Sequence, residues 1–247
     1  MPELPEVETI RRQLAKKIVG KKLEGKKIRK VDRRAKLLII DFDDGSSLLI
    51  HLKLTGQLIF EGEPGSYTRH IFKFDDGSRL IFNDARKFGW FKKTKNKKET
   101  EKALSSFGPE ALQVDFRTFK NLLRKRPGSR IKPLLMEQNF VAGIGNIYSD
   151  EILYRARVHP LRRVNTLKDK EIKQIFKNVG KVLKKALRRK GSSVQYYLDA
   201  FGKEGSYHKY HQVYQKEGEK CERCRAIIKR IKIGSRSAHF CPRCQRL

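Results

Sequence analysis

The chain has 247 residues, with 58 Lys+Arg against 27 Asp+Glu and a formal net charge of +31. Its 38% hydrophobic content, set in well-spaced runs, excludes a disordered basic tail, and no apolar run approaches the roughly eighteen residues of a membrane span. An excess this large exceeds what solubility needs and points to a polyanionic partner, nucleic acid before anionic lipid.

The charge is uneven. Residues 1–150 carry a net +13 and residues 151–247 a net +18, so the electrostatic grip is expected mainly in the C-terminal part. Met1–Glu6 has neither the basic nor the apolar segment of a secretion signal, and a cytoplasmic location is expected.

In chain order, residues 5–20 read as a helix, with Pro5 in its first turn, Glu6 and Glu8 at its positive end and Gly20 closing it. Two hairpins follow. Leu37–Phe42 and Ser47–Leu52 flank Asp43-Asp44-Gly45-Ser46, and His70–Phe74 and Arg79–Phe82 flank Asp75-Asp76-Gly77-Ser78. Thr94–Lys102 is polar and lysine-rich and reads as an exposed loop. Residues 124–130, Arg-Lys-Arg-Pro-Gly-Ser-Arg, read as an interdomain linker. Val141–Tyr148 contains Gly143-Ile144-Gly145-Asn146 between helical segments. It is either a plain helix–helix turn or a phosphate site made from helix-opening amides and the Asn146 side chain. Leu167 to about Lys190 is an amphipathic helix behind a Thr166/Asp169 capping box, with Lys173, Lys177, Lys181, Lys184 and Lys185 on its polar face.

All four cysteines lie in the last 27 residues, as Cys221-x-x-Cys224 and Cys241-x-x-Cys244. Two such knuckles bring four thiolates to one tetrahedral Zn2+. A reducing cytosol disfavours two disulfides instead. Four thiolates leave no open coordination position, so the zinc is structural, and the basic insert around Ile227–Ile233 is a β-finger.

At the other terminus, removal of Met1 would leave Pro2 with a secondary amine titrating near the α-amino range. Such an amine condenses with an aldehyde to a charged iminium, an electron sink, with Glu3 beside it to move protons. The plain alternative is a helix start.

These landmarks meet in one family. Pro2-Glu3-Leu4-Pro5-Glu6-Val7-Glu8-Thr9, Arg33–Lys36, His51–Gly56, Asp84–Gly89, Gly108-Pro109-Glu110, the Gly143–Tyr148 turn and the four-cysteine end occur in the order of formamidopyrimidine-DNA glycosylases. The chain closely resembles that family over essentially its whole length.

The resemblance implies an α+β fold: an N-terminal antiparallel β-sandwich with flanking helices (1–123), a linker (124–130), a helix–two-turns–helix domain (131–219) and a β-hairpin zinc finger (220–247). It implies a monomeric glycosylase and AP lyase acting on damaged double-stranded DNA, with no nucleotide cofactor. Pro2 would be the nucleophile, Glu3 the general acid/base, Lys36 a partner of sugar and phosphate, and Arg236 a phosphate grip beside the lesion. Leu54, Arg86 and Phe88 would fill the stack vacated by a flipped nucleotide. His70, Asn146, Tyr148 and Lys203 would complete the DNA contacts, Lys203 on a base-recognition loop near 199–214.

Three features depart from the family pattern. Leu54 stands where Met is usual, Ala85 where Pro is common, and the stretch before Arg33 is short. The alternatives are an endonuclease VIII-like enzyme for oxidised pyrimidines and a non-catalytic zinc-finger nucleic-acid-binding protein.

Overall fold

The computed structural model describes residues 1–247 and divides into two compact units, one of residues 1–106 with 186–208, the other of 107–185 with 209–247. The first unit opens with helix α1 (Leu4–Ile18). Strands β1 (Lys22–Leu23), β2 (Lys26–Arg34), β3 (Leu37–Phe42), β4 (Ser47–His51), β5 (Gly56–Phe60), β6 (Thr68–Lys73), β7 (Arg79–Asp84) and β8 (Trp90–Thr94) follow, then helix α2 (Lys97–Leu104). The strands form two antiparallel sheets, ordered β1-β2-β3-β4-β8 and β5-β7-β6.

Both Asp-Asp-Gly-Ser turns close in the same way. The second aspartate accepts from the serine N–H, at 2.9 Å for Asp44–Ser46 and 3.0 Å for Asp76–Ser78, and also from the serine hydroxyl. Val7, Ile10, Leu14 and Ile18 form the buried stripe of α1 and share one core with Leu38, Ile40, Leu48 and Ile50 of the first sheet and Leu58, Phe72, Leu80 and Phe82 of the second. Burying each such side chain contributes roughly 1.5–3 kcal/mol, enough to hold the sheets face to face with the helix against them.

The second unit contains α3 (Phe116–Arg124), α4 (Ile131–Met136), α5 (Asn146–Ala156), most of α6 (Asp169–Arg188) and the hairpin β9 (Lys229–Ile233) with β10 (Arg236–Phe240). The boundary lies elsewhere than the composition of residues 124–130 suggests. Phe116 and Phe119 of α3 pack on Phe176 of α6 at 5.4 and 5.6 Å between ring centroids, and Phe119 also meets Phe140 at 5.8 Å. Residues 107–123 therefore fold with the helices rather than with the sandwich. Arg126 is not a loose linker residue either, since it pairs with Glu137 at 2.9 Å.

Two local expectations also change. The expected loop at Thr94–Lys102 is the end of β8 followed by α2, because the Asn96 side chain accepts from Glu99 N–H at 2.9 Å and Glu99 accepts from Lys95 N–H. Thr94 and Thr100 meet beneath it through buried hydroxyls 2.6 Å apart. At the start of α6, Glu171 rather than Asp169 takes the exposed N–H, from Lys168 at 2.8 Å, while the Thr166 hydroxyl turns back to Arg163 O.

The end of β4 shows how a core residue shapes the next turn. His51 Nδ1 accepts from Lys53 N–H at 2.9 Å and helps hold Lys53 at a left-handed φ of +48°. Burial, with Lys53 and Lys36 nearby, lowers the His51 pKa from 6.5 to about 4. The folded state thus favours the neutral ring. Its stabilising contribution is complete above pH 6.5 and is lost as the pH falls toward 4, on the order of 2–3 kcal/mol. NMR titration of the ring should give a midpoint near 4, and His51→Gln should flatten the stability profile between these two pH values.

Candidate functional site

The N-terminal group of candidates lies on α1 and the hairpin beside it. Pro2 and Glu3 are buried, and Glu3 is the residue that opens the helix. Glu6 holds this start in place. Its carboxylate accepts from Glu3 N–H at 2.8 Å and from Ser192 N–H at 2.8 Å. The segment that returns to Glu6 requires glycine at 191. A Cβ there would stand 2.7 Å from a Glu6 carboxylate oxygen, and φ is +84°.

Lys36, 5% exposed, sits in the two-residue tip between Arg34 and Leu37, the last paired residues of β2 and β3. Ala35 next to it holds φ +54°, a conformation costing about 1–2 kcal/mol for a residue with a Cβ. A short relay anchors this tip to α1. Glu8 accepts from Arg33 Nε at 3.2 Å, and Arg33 Nη1 donates to Ala35 O at 2.7 Å. Burial works against ionisation of Glu8, but hydrogen bonds from Arg11 and Arg12 and the charges of Arg11 and Arg33 outweigh it and hold its pKa below the ordinary value. The sequence reading did not assign Glu6, Glu8 and Arg33 these positioning roles.

Leu54, Arg86 and Phe88 lie on two turns clasped by one buried carboxylate. Asp84 Oδ1 accepts from the Thr55 hydroxyl and from Arg86 N–H (3.2 Å), and Oδ2 accepts from Gly89 N–H (2.6 Å). Thr55 Oγ1 also accepts from Arg86 N–H at 3.1 Å. The turn bearing Leu54 and the loop bearing Arg86 and Phe88 are therefore one rigid assembly. Its tips face solvent: Phe88 is 53% exposed, and the Arg86 guanidinium stacks 5.1 Å from its ring centre. Leu54 is half-buried.

His70 is set apart from this group. It packs on Phe72 and Phe91 at 4.4 and 4.6 Å, bridging the two sheets, and burial lowers its pKa. Lys203 is exposed on a loop whose base is fixed by Asp199, which accepts from Lys203 N–H (2.9 Å) and from the Gln13 side chain of α1 (2.7 Å).

In the second unit, the glycine turn leads directly into α5. Gly143 has φ +105°, and Gly145 caps the helix without a side-chain bond. Gln138 braces the turn, accepting from Gly143 N–H and donating to Met136 O and Ile144 O. The Asn146 carboxamide oxygen is buried without a hydrogen-bond partner. That oxygen accepts and cannot itself hold an anion; the groups suited to one at this turn are donors, the Asn146 side-chain NH2 and the main-chain N–H groups at the positive end of the helix. Tyr148, expected at this site, is fully buried.

The finger is keyed to α4 and α5 by a buried network. Lys132 Nζ meets Asp150 Oδ1 at 2.6 Å and Ser237 O at 2.7 Å, while Asp150 Oδ2 accepts from His239 N–H at 3.0 Å. Arg236, two residues before His239's inward-facing neighbour Ala238, is exposed at the start of β10. The four cysteine sulfurs lie within 4.8 Å of one another, with separations of 3.3, 3.5 and 3.9 Å among them. Zn–S bonds of about 2.3 Å in a tetrahedron give edges of about 3.8 Å, so the cluster fits one structural zinc. Burial opposes ionisation of Cys221, but hydrogen bonds from Tyr154, Arg223 N–H and Cys224 N–H outweigh it and bring its pKa down to about 6.

Residues 1–91 match the formamidopyrimidine-DNA glycosylase N-terminal domain in two overlapping segments, 1–25 and 21–91. Residues 107–197 match the formamidopyrimidine-DNA glycosylase H2TH domain, and 218–247 the zinc finger found in FPG and IleRS. The formamidopyrimidine-DNA glycosylase of Pelotomaculum thermopropionicum is 38% identical over 276 residues, covering 100% of both chains. The Lactococcus lactis Fpg bound to abasic-site DNA superposes with a TM-score of 0.91 at 36% identity, covering 99% of this chain and 100% of that one. A variant of the same enzyme with Fapy-dG-containing DNA gives 0.92 at 36% identity over 100% of both. The N-terminal, H2TH and zinc-finger domains thus follow one another along the chain, whole-length relatives share more than a third of its residues, and the chain belongs to the formamidopyrimidine-DNA glycosylase family.

Proposed function

We propose that this DNA glycosylase and AP lyase removes oxidised purines, formamidopyrimidines and 8-oxoguanine, from duplex DNA, with the Pro2 nitrogen as nucleophile. The observation that carries the reading is the buried Pro2-Glu3 pair, held at the head of α1 by the Glu6 carboxylate. A nucleophile and a proton carrier fixed on a helix start are oriented before substrate arrives, which is where effective molarity originates.

In this mechanism the mature chain begins at Pro2, whose secondary amine attacks C1′ and displaces the damaged base. Opening of the C1′–O4′ bond, with O4′ protonated, then gives the iminium, which draws electrons from the sugar so that the 3′ and then the 5′ phosphate depart by successive eliminations. Glu3 moves the protons, and Lys36 sits beside the sugar and phosphate. Phe88 wedges into the opened stack, Arg86 faces the orphaned base and Leu54 fills the remaining void. His70 and Lys203 add DNA contacts.

Asn146, the main chain at Tyr148 and Arg236 hold backbone phosphates, and the basic residues 151–247 supply salt-sensitive affinity. Cys221, Cys224, Cys241 and Cys244 hold zinc, which stabilises the finger and takes no part in bond breaking. No helix is long and apolar enough to cross a membrane. The proposed setting is the nucleoid-bearing cytoplasm, where the protein acts as a single chain.

Borohydride should trap the wild-type chain on abasic-site DNA through Pro2, and Pro2→Gly should lose most of the adduct; full retention would refute the nucleophile. Excision of 8-oxoguanine opposite cytosine should exceed that of thymine glycol, and the reverse order would favour an enzyme for oxidised pyrimidines. Glu6→Ala should lower single-turnover excision by about 100-fold with little change in DNA affinity, because it shifts Pro2 and Glu3 rather than removing a DNA contact.

A further inference from the structure

Helix α5 presents three working side chains at steps of four residues, which places them on one face. Asn146 stands at the glycine turn, Asp150 grips the finger hairpin, and Tyr154 lies one turn beyond. Tyr154 is fully buried among Val213, Cys221, Ile228 and Cys241. Its hydroxyl lies 3.3 Å from Cys221 Sγ. The ring is held from the other side by Arg223, between the two cysteines of the first knuckle. That guanidinium sits 4.2 Å from the ring centre and donates to Tyr154 O at 2.8 Å. The hydroxyl is thus aimed at a metal ligand by a clamp that includes the knuckle itself.

We infer that Tyr154 is a positioning residue of the zinc centre, donating its O–H to the Cys221 thiolate and holding the metal in place. The direction follows from chemistry. A zinc-bound cysteine carries no proton, so at this contact only the phenol can donate. A charge-assisted hydrogen bond of this kind disperses the sulfur charge, orients its lone pair and ties the ligand to a helix that does not depend on the metal for its own hydrogen bonds. Loss of Cys221 from the zinc would require breaking that bond inside an apolar cluster.

The test is Tyr154→Phe in the full-length chain, which keeps the ring, the Arg223 stack and the core volume. Transfer of zinc to 4-(2-pyridylazo)resorcinol should become about 10–100-fold faster, the usual effect of removing a partner of a metal ligand. Cobalt(II) loaded in place of zinc adds a readout that packing alone would not move. Without the hydrogen bond the sulfur lone pair rises in energy, so the sulfur-to-cobalt charge-transfer band should shift to longer wavelength. An unchanged band would overturn the inference even if zinc left faster, since the ring alone would then account for retention. Tyr210→Phe, remote from the cysteines in sequence and stacked under Lys185 at 4.3 Å, should change neither quantity.

Discussion

The Glu6 carboxylate is the constraint on which the proposed N-terminal chemistry depends. It accepts N–H groups from residue 3 and from residue 192, 186 positions further along the chain. One oxygen thereby orients the first residues of α1, and the other docks the segment that follows α6. Residues near a chain end ordinarily fray unless they are tied down. Here helix capping, tertiary docking and the bare backbone of Gly191 hold them in one arrangement. Glu8, Arg33 and Ala35 extend the same logic to Lys36, so that the strained tip is anchored to the helix that carries Pro2 and Glu3.

In both units buried polar groups fix the residues proposed to meet DNA. Asp84 ties together the turns bearing Leu54, Arg86 and Phe88, and Asp150 with Lys132 locks the hairpin bearing Arg236. Charges buried in this way contribute less to net stability than to a unique geometry. That division suits a protein whose affinity comes from a large diffuse charge. Attraction is cheap and unspecific, while the few groups that discriminate must not wander.

Much of this is legible in the amino-acid sequence alone. The helix at Leu4–Ile18, both Asp-Gly hairpins and the four-thiolate cluster rest on local spacing, which sequence displays directly. The glycine turn is legible as a turn, whereas its expected phosphate role rests on the family resemblance and not on the Gly143-x-Gly145 spacing. What stayed hidden depends on partners distant in sequence. Asp84 looks like any strand-end aspartate until Thr55 and Gly89 converge on it. The Asn96/Glu99 pair that starts α2 is the exception, a local cap three residues apart that the lysines around it masked. The aromatic packing of Phe116 and Phe119 on Phe176 moved a boundary that the composition of residues 124–130 had placed too late.

The contribution of residues 186–208 to the first unit also sets an order of events during synthesis. The ribosome makes the start of α1 first, yet the segment that docks on Glu6 and Gln13 emerges only after α6. A nascent chain can build the two sheets early but cannot seat its own head until most of the DNA-gripping unit exists. The proposed nucleophile is therefore seated late, after α6 has been made and before the finger is complete.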